Sequence, residues 1–329
     1  MIEVSLCIPT FRRAEKLAGM LPALLGAIDR HPQKERFEVC LSDNASPDAT
    51  PEVVAEARRC HGRVAFRDVR QPSNLGFAGN FHAVARLATG RTFAIFADDD
   101  AIRPDALDHL LTAASGSSES QPLAVFNSLP GADILRRGQR LPSGPIMLPG
   151  VDAALATLGI FQMSFVTNLL FHRETALKRW PAEAGRSRYP HMVVALALLK
   201  HGGAVYRPEA LVDAFLPPDA GDQPLLTCVD MARVMTDHGL SDGTPGDLVR
   251  RTYRYLLQMV PTAVYQARTG RAVDERGNPY AELSARNLAD CYRRWWPARA
   301  AAVSLYLTAK VCPLFLLRTG LRLVSRHPR

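Results

Sequence analysis

The apolar run Thr92-Phe93-Ala94-Ile95-Phe96-Ala97 ends in three consecutive aspartates, Asp98, Asp99 and Asp100. A short hydrophobic segment bounded in this way reads as a buried strand, so its carboxylates gather at one sheet edge. Like charges held together repel, and a divalent cation is the usual relief. Hard oxygen ligands suit Mg²⁺ or Mn²⁺, and both ions also hold phosphates. Taken alone, the triplet could equally be a solvated acidic turn or a cap for the helix after Pro104. The segments around it favour a metal–diphosphate site.

The residues before the triplet alternate between strand and helix signals. Val4 to Pro9, Phe37 to Leu41, Val64 to Val69 and Thr92 to Ala97 read as strands. Between them, Leu17, Met20, Leu21, Leu24, Leu25 and Ile28 recur at helical spacing, and Asp48 or Thr50 can cap a helix with Pro51 in its first turn. Asn74 to Asn80 reads as a glycine-bearing loop whose Gly76 and Gly79 allow a ligand close to the backbone. This rhythm predicts an α/β fold, a Rossmann-like and mostly parallel sheet with flanking helices. Ligands of such sheets bind beyond the carboxyl ends of the strands. Thr10, Asp43 with Asn44, and Asp98 to Asp100 all fall at those ends.

Further on, Leu123 to Asn127, Ser164 to Phe171 and Ala204 to Tyr206 read as strands, with helices from Arg173 and Pro190. After Pro217-Pro218 the pattern becomes helical. The 329 residues hold six scattered cysteines and no C-x-x-C pair, against both a zinc site and a disulfide scaffold. No basic-then-apolar leader precedes the first strand, so the expectation is a cytoplasmic protein. The net charge is +8, and from Cys291 onward there are eight Lys or Arg and no Asp or Glu. The body is therefore neutral and the tail is basic.

Four segments together, Ser5-Leu6-Cys7-Ile8-Pro9-Thr10-Phe11-Arg12-Arg13, Ser42 to Thr50, Asn74 to Asn80 and Asp98-Asp99-Asp100, resemble a family 2 glycosyltransferase of the GT-A fold. Phe165 to Phe171 with the later Tyr189-Pro190-His191 is similar to the abequosyltransferase-like branch that builds O-antigen-type glycans. The resemblance implies an inverting transferase that uses a nucleotide-diphosphate sugar with Mn²⁺ or Mg²⁺. It places Pro9, Thr10 and Arg13 in the first nucleotide-contact segment and Asp43 on the base. Asn74 and Gly79 fall near the ribose and diphosphate, Asp98 with Asp99 near the ribose and sugar, and Asp100 on the metal. Residues 1–217 would form the catalytic domain, with 1–114 the nucleotide-sugar half and 115–217 the acceptor half. Residues 218–290 would be a helical region and 291–329 a basic amphipathic tail.

Many such enzymes carry an acidic base where this chain reads Arg188-Tyr189-Pro190-His191-Met192. His191 is the candidate in its place, as general base or metal ligand. Glu174, Glu183, Asp213 and Asp219 are weaker alternatives. His172 is expected to pack at a strand end, and Trp180 to stack on a sugar or to serve as core or lid. In the tail, Trp295-Trp296-Pro297 precedes a mostly apolar stretch from Ala300 to Leu317, followed by arginines. That pattern favours a helix lying on the inner face of the cell membrane over one that packs or spans. Glycan or lipid-linked acceptors fit that location. Nucleic acid is disfavoured, since no aromatic RNA-binding signature accompanies the basic residues. Two rivals stand beside the transferase, a sugar nucleotidyltransferase and a non-catalytic glycan-assembly scaffold.

Overall fold

A computed structural model describes residues 1–98, 100–127, 141–213, 227–258, 260–269 and 283–312. They fall into two compact units, one before residue 214 and one from residue 227.

The first unit is built on an eight-stranded sheet. In chain order its elements are β1 (Val4–Thr10), α1 (Ala14–Arg30), β2 (Phe37–Asp43), α2 (Thr50–Cys60), β3 (Ala65–Arg70), α3 (Gly76–Leu87), β4 (Thr92–Ile95), β5 (Ala101–Ile102), α4 (Ala106–Gly116) and β6 (Leu123–Asn127). There follow β7 (Ile146–Leu148), α5 (Val151–Ser164), β8 (Leu169–His172), α6 (Arg173–Lys178), α7 (Pro190–Gly202), β9 (Ala204–Ala210) and β10 (Val212–Asp213). The sheet order is β3-β2-β1-β4-β8-β6-β9-β7, and β5 pairs separately with β10. The pairs β1–β2, β1–β4, β2–β3 and β6–β9 are parallel, while β8 runs antiparallel to both its neighbours and β7 to β9. The result is a mostly parallel mixed sheet.

Period-two alternation in β1 assigns its faces. Leu6 and Ile8 join one core cluster with Leu17, Leu21 and Leu24 of α1 and Leu107 and Leu110 of α4. Cys7 points the other way, where its thiol lies 3.7 Å from the Val84 carbonyl of α3. Truncating one of these α1 leucines to alanine would cost about 2–5 kcal/mol. Because β2 and β4 flank β1, the chain reverses direction across the sheet between β1 and β4. That reversal opens a crevice at the carboxyl ends of those two strands.

Two expectations change. Gly76 to Gly79 form the first turn of α3 rather than a loop. The turn closes because side chains satisfy its open amides: Asn44 accepts from the Leu75 amide at 2.8 Å and Asn74 from the Gly76 amide at 2.7 Å. Gly76 has φ +71°, a conformation that favours glycine. A Cβ on Gly79 would lie 2.7 Å from the Leu75 Cβ, so its smallness serves the protein's own packing. The strand expected from Ser164 to Phe171 is also shorter. Ser164 ends α5, Val166–Asn168 is a 3₁₀ turn, and only Leu169–His172 pairs.

The second unit is helical: α8 (Thr227–Val234), a π-helical turn (Met235–Gly239), α9 (Gly246–Leu257), α10 (Val260–Arg268), α11 (Ala285–Cys291) and α12 (Trp296–Val311). α9 buries Leu248, Val249, Tyr253 and Leu256 on one face. The Tyr253 and Thr236 hydroxyls hydrogen-bond at 2.5 Å, and Thr236 also donates to the Cys291 carbonyl. Arg293 pairs with Asp237 at 2.6 Å and Arg294 with Asp242 at 2.8 Å. Among the described residues no helix is long and apolar enough to cross a membrane. The apolar stretch from Ala300 continues past 312, outside those residues.

Candidate functional site

Thr10 ends β1 and Asp98 follows β4, and the two meet across the crevice. The Thr10 hydroxyl donates to the Asp98 carboxylate at 2.9 Å. Arg13 approaches the other Asp98 oxygen at 3.5 Å. Asp98 is 8% exposed, so this carboxylate is held largely out of water with a cation and a hydroxyl beside it. Pro9 lies in register with Ser42 one strand over. Buried Asn80 of α3 spans the two strand ends, donating to the Ser42 carbonyl at 2.9 Å and the Thr10 carbonyl at 3.4 Å. It also accepts from the Ser42 hydroxyl at 2.6 Å.

The loops after β1 and β2 are tied together. The amides of Arg12, Arg13 and Ala14 donate to Ser46, Thr50 and Asp48 side chains at 2.9, 3.3 and 3.3 Å. Among the described residues, Arg12 and Ala45, one in each loop, are the non-glycine residues with positive φ, at 56° and 59°. Such conformations persist only where surrounding bonds over-determine them, and they concentrate at ligand clamps. Asp43 sits at the head of the second loop. One of its oxygens accepts from the Ser46 amide at 3.0 Å. The other is buried without a hydrogen bond, facing the Arg70 guanidinium at 3.4 Å. Arg70 itself donates to the Ser46 carbonyl at 2.9 Å, and its side chain is 59% exposed. Asn74 joins the same wall, accepting from Asn44 at 2.9 Å.

Asp100 lies two residues beyond Asp98 and is half-buried. The Thr167 hydroxyl donates to it at 2.5 Å, and the Ala97 amide donates to that hydroxyl at 3.4 Å. Thr167 therefore fastens the loop after β4 to the 3₁₀ turn before β8. A cavity of about 360 Å³ adjoins Asp100, lined by Lys16, Met20, Leu24, Phe96 and Ile102. Asp99 lies outside the described residues. Among those described, no three His, Cys, Asp or Glu side chains gather closely enough to hold a metal by themselves. The carboxylate chemistry of Asp100 still suits a hard cation such as Mg²⁺ or Mn²⁺.

His191 opens α7 and is 4% exposed. Its Nε2 lies 2.8 Å from the Ser164 carbonyl, so Nε2 carries the proton and donates. Nδ1 is buried without a hydrogen bond. Burial pushes the imidazole down to about 4, and the bond to Ser164 offsets only part of that, so the ring is neutral at pH 7. The ring packs edge-on to Phe81 at 6.5 Å and near Tyr189 at 5.7 Å. Ser164 precedes Thr167 by three residues, so His191 and Asp100 grip the two ends of one short segment. Trp180 lies 4.6 Å from His82 and 5.1 Å from Phe81, within an aromatic cluster. Glu174 and Glu183 are exposed, Asp213 pairs with Arg103 at 2.9 Å, and Asp219 falls outside the described residues. His172 ends β8 and bonds Thr175 at 2.8 Å.

Sequence reading did not find Thr167, Asn80, Ser46 or Arg70. Ser46, Asn80 and Thr167 lie inside the segments that carry the family resemblance, and Arg70 ends the strand next to the one carrying Asp43, but no role was read for any of them.

Residues 5–126 match the family described as Glycosyl transferase family 2. The chain carries a family 2 glycosyltransferase domain. It is similar to the abequosyltransferase RfbV of Salmonella typhimurium, 39% identical over 114 residues, which are 33% of this chain and 32% of that protein. The match thus spans about a third of the curated relative's length. Among solved structures, the mannosyltransferase PcManGT of Pyrobaculum calidifontis, in complex with GDP-Man and Mn²⁺, superposes with a TM-score of 0.59 at 18% identity. That comparison covers 93% of this chain and 86% of that one. S. aureus TarS 1–349 gives 0.55 at 16% identity, covering 97% and 92%. The glycosyltransferase domain of this chain therefore has the GT-A fold.

Proposed function

We propose that this protein is an inverting glycosyltransferase. It moves a hexose or deoxyhexose from a nucleotide-diphosphate donor to a glycan or polyprenyl-linked acceptor in the assembly of a bacterial surface polysaccharide. The observation that carries the reading is the Thr10–Asp98 bond across the β1–β4 crevice, with Asp100 two residues further on. That is where a sheet of this topology takes its ligand. The names of its relatives add support, since they include an abequosyltransferase and a mannosyltransferase bound to GDP-Man and Mn²⁺.

In this reading Asp43, with a buried oxygen lacking a hydrogen bond, accepts an N–H of the base once the exposed Arg70 swings aside. Asn74 and the amides at the start of α3, with Gly79, lie along the ribose and diphosphate. Thr10, Arg13 and Asp98 orient the ribose and sugar, with Pro9 shaping the strand end; Asp99 is assigned to the same group from the sequence alone. Asp100, with His191, would hold Mn²⁺ or Mg²⁺. A cation held there would supply positive charge against the negative charge developing on the departing nucleoside diphosphate. An imidazole that titrates near 4 is a weak base at neutral pH but a ready neutral donor. Its lowered basicity favours the ligand or positioning role for His191 over proton abstraction. The basic tail from residue 291 supports a peripheral position on the inner face of the cell membrane.

Incubation with a panel of nucleotide sugars, including GDP-mannose and UDP-N-acetylglucosamine, with and without Mn²⁺, tests the reading. Release of nucleoside diphosphate from at least one donor, dependent on Mn²⁺, is expected. Formation of nucleoside triphosphate and sugar 1-phosphate once pyrophosphate is added would instead identify a nucleotidyltransferase. The burial of His191 and the exposure of Glu174 and Glu183 favour one second reading, a scaffold that retains donor binding. Donor-induced thermal stabilisation with no turnover toward any acceptor would select it.

A further inference from the structure

α12 is inverted relative to an ordinary surface helix. Its buried positions are small, Ala298, Ala302 and Ala309. Three of its large apolar side chains face water instead, Trp296 at 76%, Leu307 at 51% and Val311 at 81% exposure, while Val303, Leu305 and Tyr306 are half-buried. Steps of three and four residues place 296, 300, 303, 307 and 311 on one side of a helix. Ala300 is exposed and Val303 half-buried within the same stripe. Three of the six large apolar residues exposed among those described thus lie on this one helix face. Clustering of that kind marks an interaction surface, whereas single exposed apolar residues are ordinary.

Charge selects the partner. α12 contains no acidic residue, and Arg299 and Lys310 flank the stripe along one edge. Lys310 lies over the Tyr306 ring at 5.7 Å. Arg293 and Arg294, just before the helix, are by contrast neutralised by Asp237 and Asp242. Tryptophan at the helix start, aliphatic side chains along the face and cations at its margin form the pattern of a helix seated at a lipid–water boundary.

We propose that this face of α12, formed by Trp296, Ala300, Leu307 and Val311 with Arg299 and Lys310 at its edge, docks on an anionic phospholipid bilayer. The apolar side chains enter the acyl boundary and the cations meet lipid phosphates. The inference rests on the membrane placement proposed above and names its contact surface; the transfer chemistry is independent of it.

Co-sedimentation of the full chain with phosphatidylcholine vesicles, with or without phosphatidylglycerol, tests the proposal. The wild type is expected to bind the anionic vesicles more strongly. Leu307→Ser with Val311→Ser should lower that partitioning by about tenfold, since both side chains lose apolar area to bury. Arg299→Gln with Lys310→Gln should shrink the preference for anionic lipid. Both pairs are surface changes, and circular dichroism should confirm unchanged folding. Wild-type partitioning by the serine pair would overturn the assignment. So would a concentration-dependent dimer that the serine pair abolishes, because the face would then belong to a second copy. Donor hydrolysis by the detergent-free chain, measured in parallel, reports separately on the transferase reading.

Discussion

The two ends of the parallel strands treat a buried carboxylate in opposite ways. At the amino end of β2, Glu38 is 1% exposed and fully partnered. It accepts from the Ser5 hydroxyl at 2.6 Å, the Thr89 amide at 2.6 Å, the Thr89 hydroxyl at 2.9 Å and the Gly90 amide at 3.2 Å, with Arg67 at 3.2 Å. Burial alone would raise this carboxyl, but those hydrogen bonds outweigh it and hold it below the usual range. At the carboxyl end of the same strand, Asp43 keeps one oxygen without a hydrogen bond. A saturated charge pins the α3–β4 connection to the sheet; the Asp43 oxygen, facing only the exposed Arg70 at 3.4 Å, suits the ligand role proposed for it. Residue type does not separate these two acids, and neither does burial. The count of hydrogen bonds does.

The comparison can be broken in four places. Asp100→Ala should lower Mn²⁺-dependent turnover by at least about a hundredfold, because the role proposed for this carboxylate is at the point where charge develops. Donor-release kinetics check this, and retained turnover would remove Asp100 from the metal role. Glu38→Gln acts on the fold instead and should cost about 2–3 kcal/mol, since a network built for a charged acceptor would be left mismatched. Denaturant titration measures it, and donor affinity of the folded fraction should not change.

Acid should separate a third group. His191 titrates near 4 in the folded chain against 6.5 when unperturbed, so the unfolded state binds more protons between those values. Stability is therefore fully present above about pH 6.5 and declines as pH falls toward 4, by about 2 kcal/mol at pH 5. His191→Gln should flatten melting temperature against pH in that window, leaving the Glu38 loss to appear at lower pH. The smallest effect is expected from Asp43→Asn, which keeps an oxygen for the Ser46 amide. It should weaken donor binding by about tenfold with little change in melting temperature. A large loss of stability there would make Asp43 a second Glu38 and end the contrast.

Much of this was readable from the residues because the information is local. The end of β2 announces itself by an apolar run meeting Asp43, and α1 by its leucine spacing, whereas β4 stops at Ile95, short of the Ala97 that the apolar run suggested. What escaped depends on distant partners. Thr167 matters because it meets Asp100, 67 residues earlier, and nothing in its own neighbourhood signals this. Gly76 to Gly79 resembled a loop because the capping groups come from Asn44 and Asn74, outside the run. The two-residue strands β5 and β10 are too short to leave a period. In α12 the apolar residues were visible, but which of them face inward depends on the alanines that pack beneath.

The ribbon of β5 and β10 has a mechanical consequence. Ala101 pairs with Asp213 and Ile102 with Val212, and Arg103 clamps Asp213 at 2.9 Å. The loop bearing Asp100 is thus stitched, one residue downstream, to a chain position more than a hundred residues later. Tension or slack applied at 213 reaches that carboxylate through a single peptide unit. Chains cut just before Val212 would keep every strand of the main sheet and yet lose the clasp that sets the reach of Asp100.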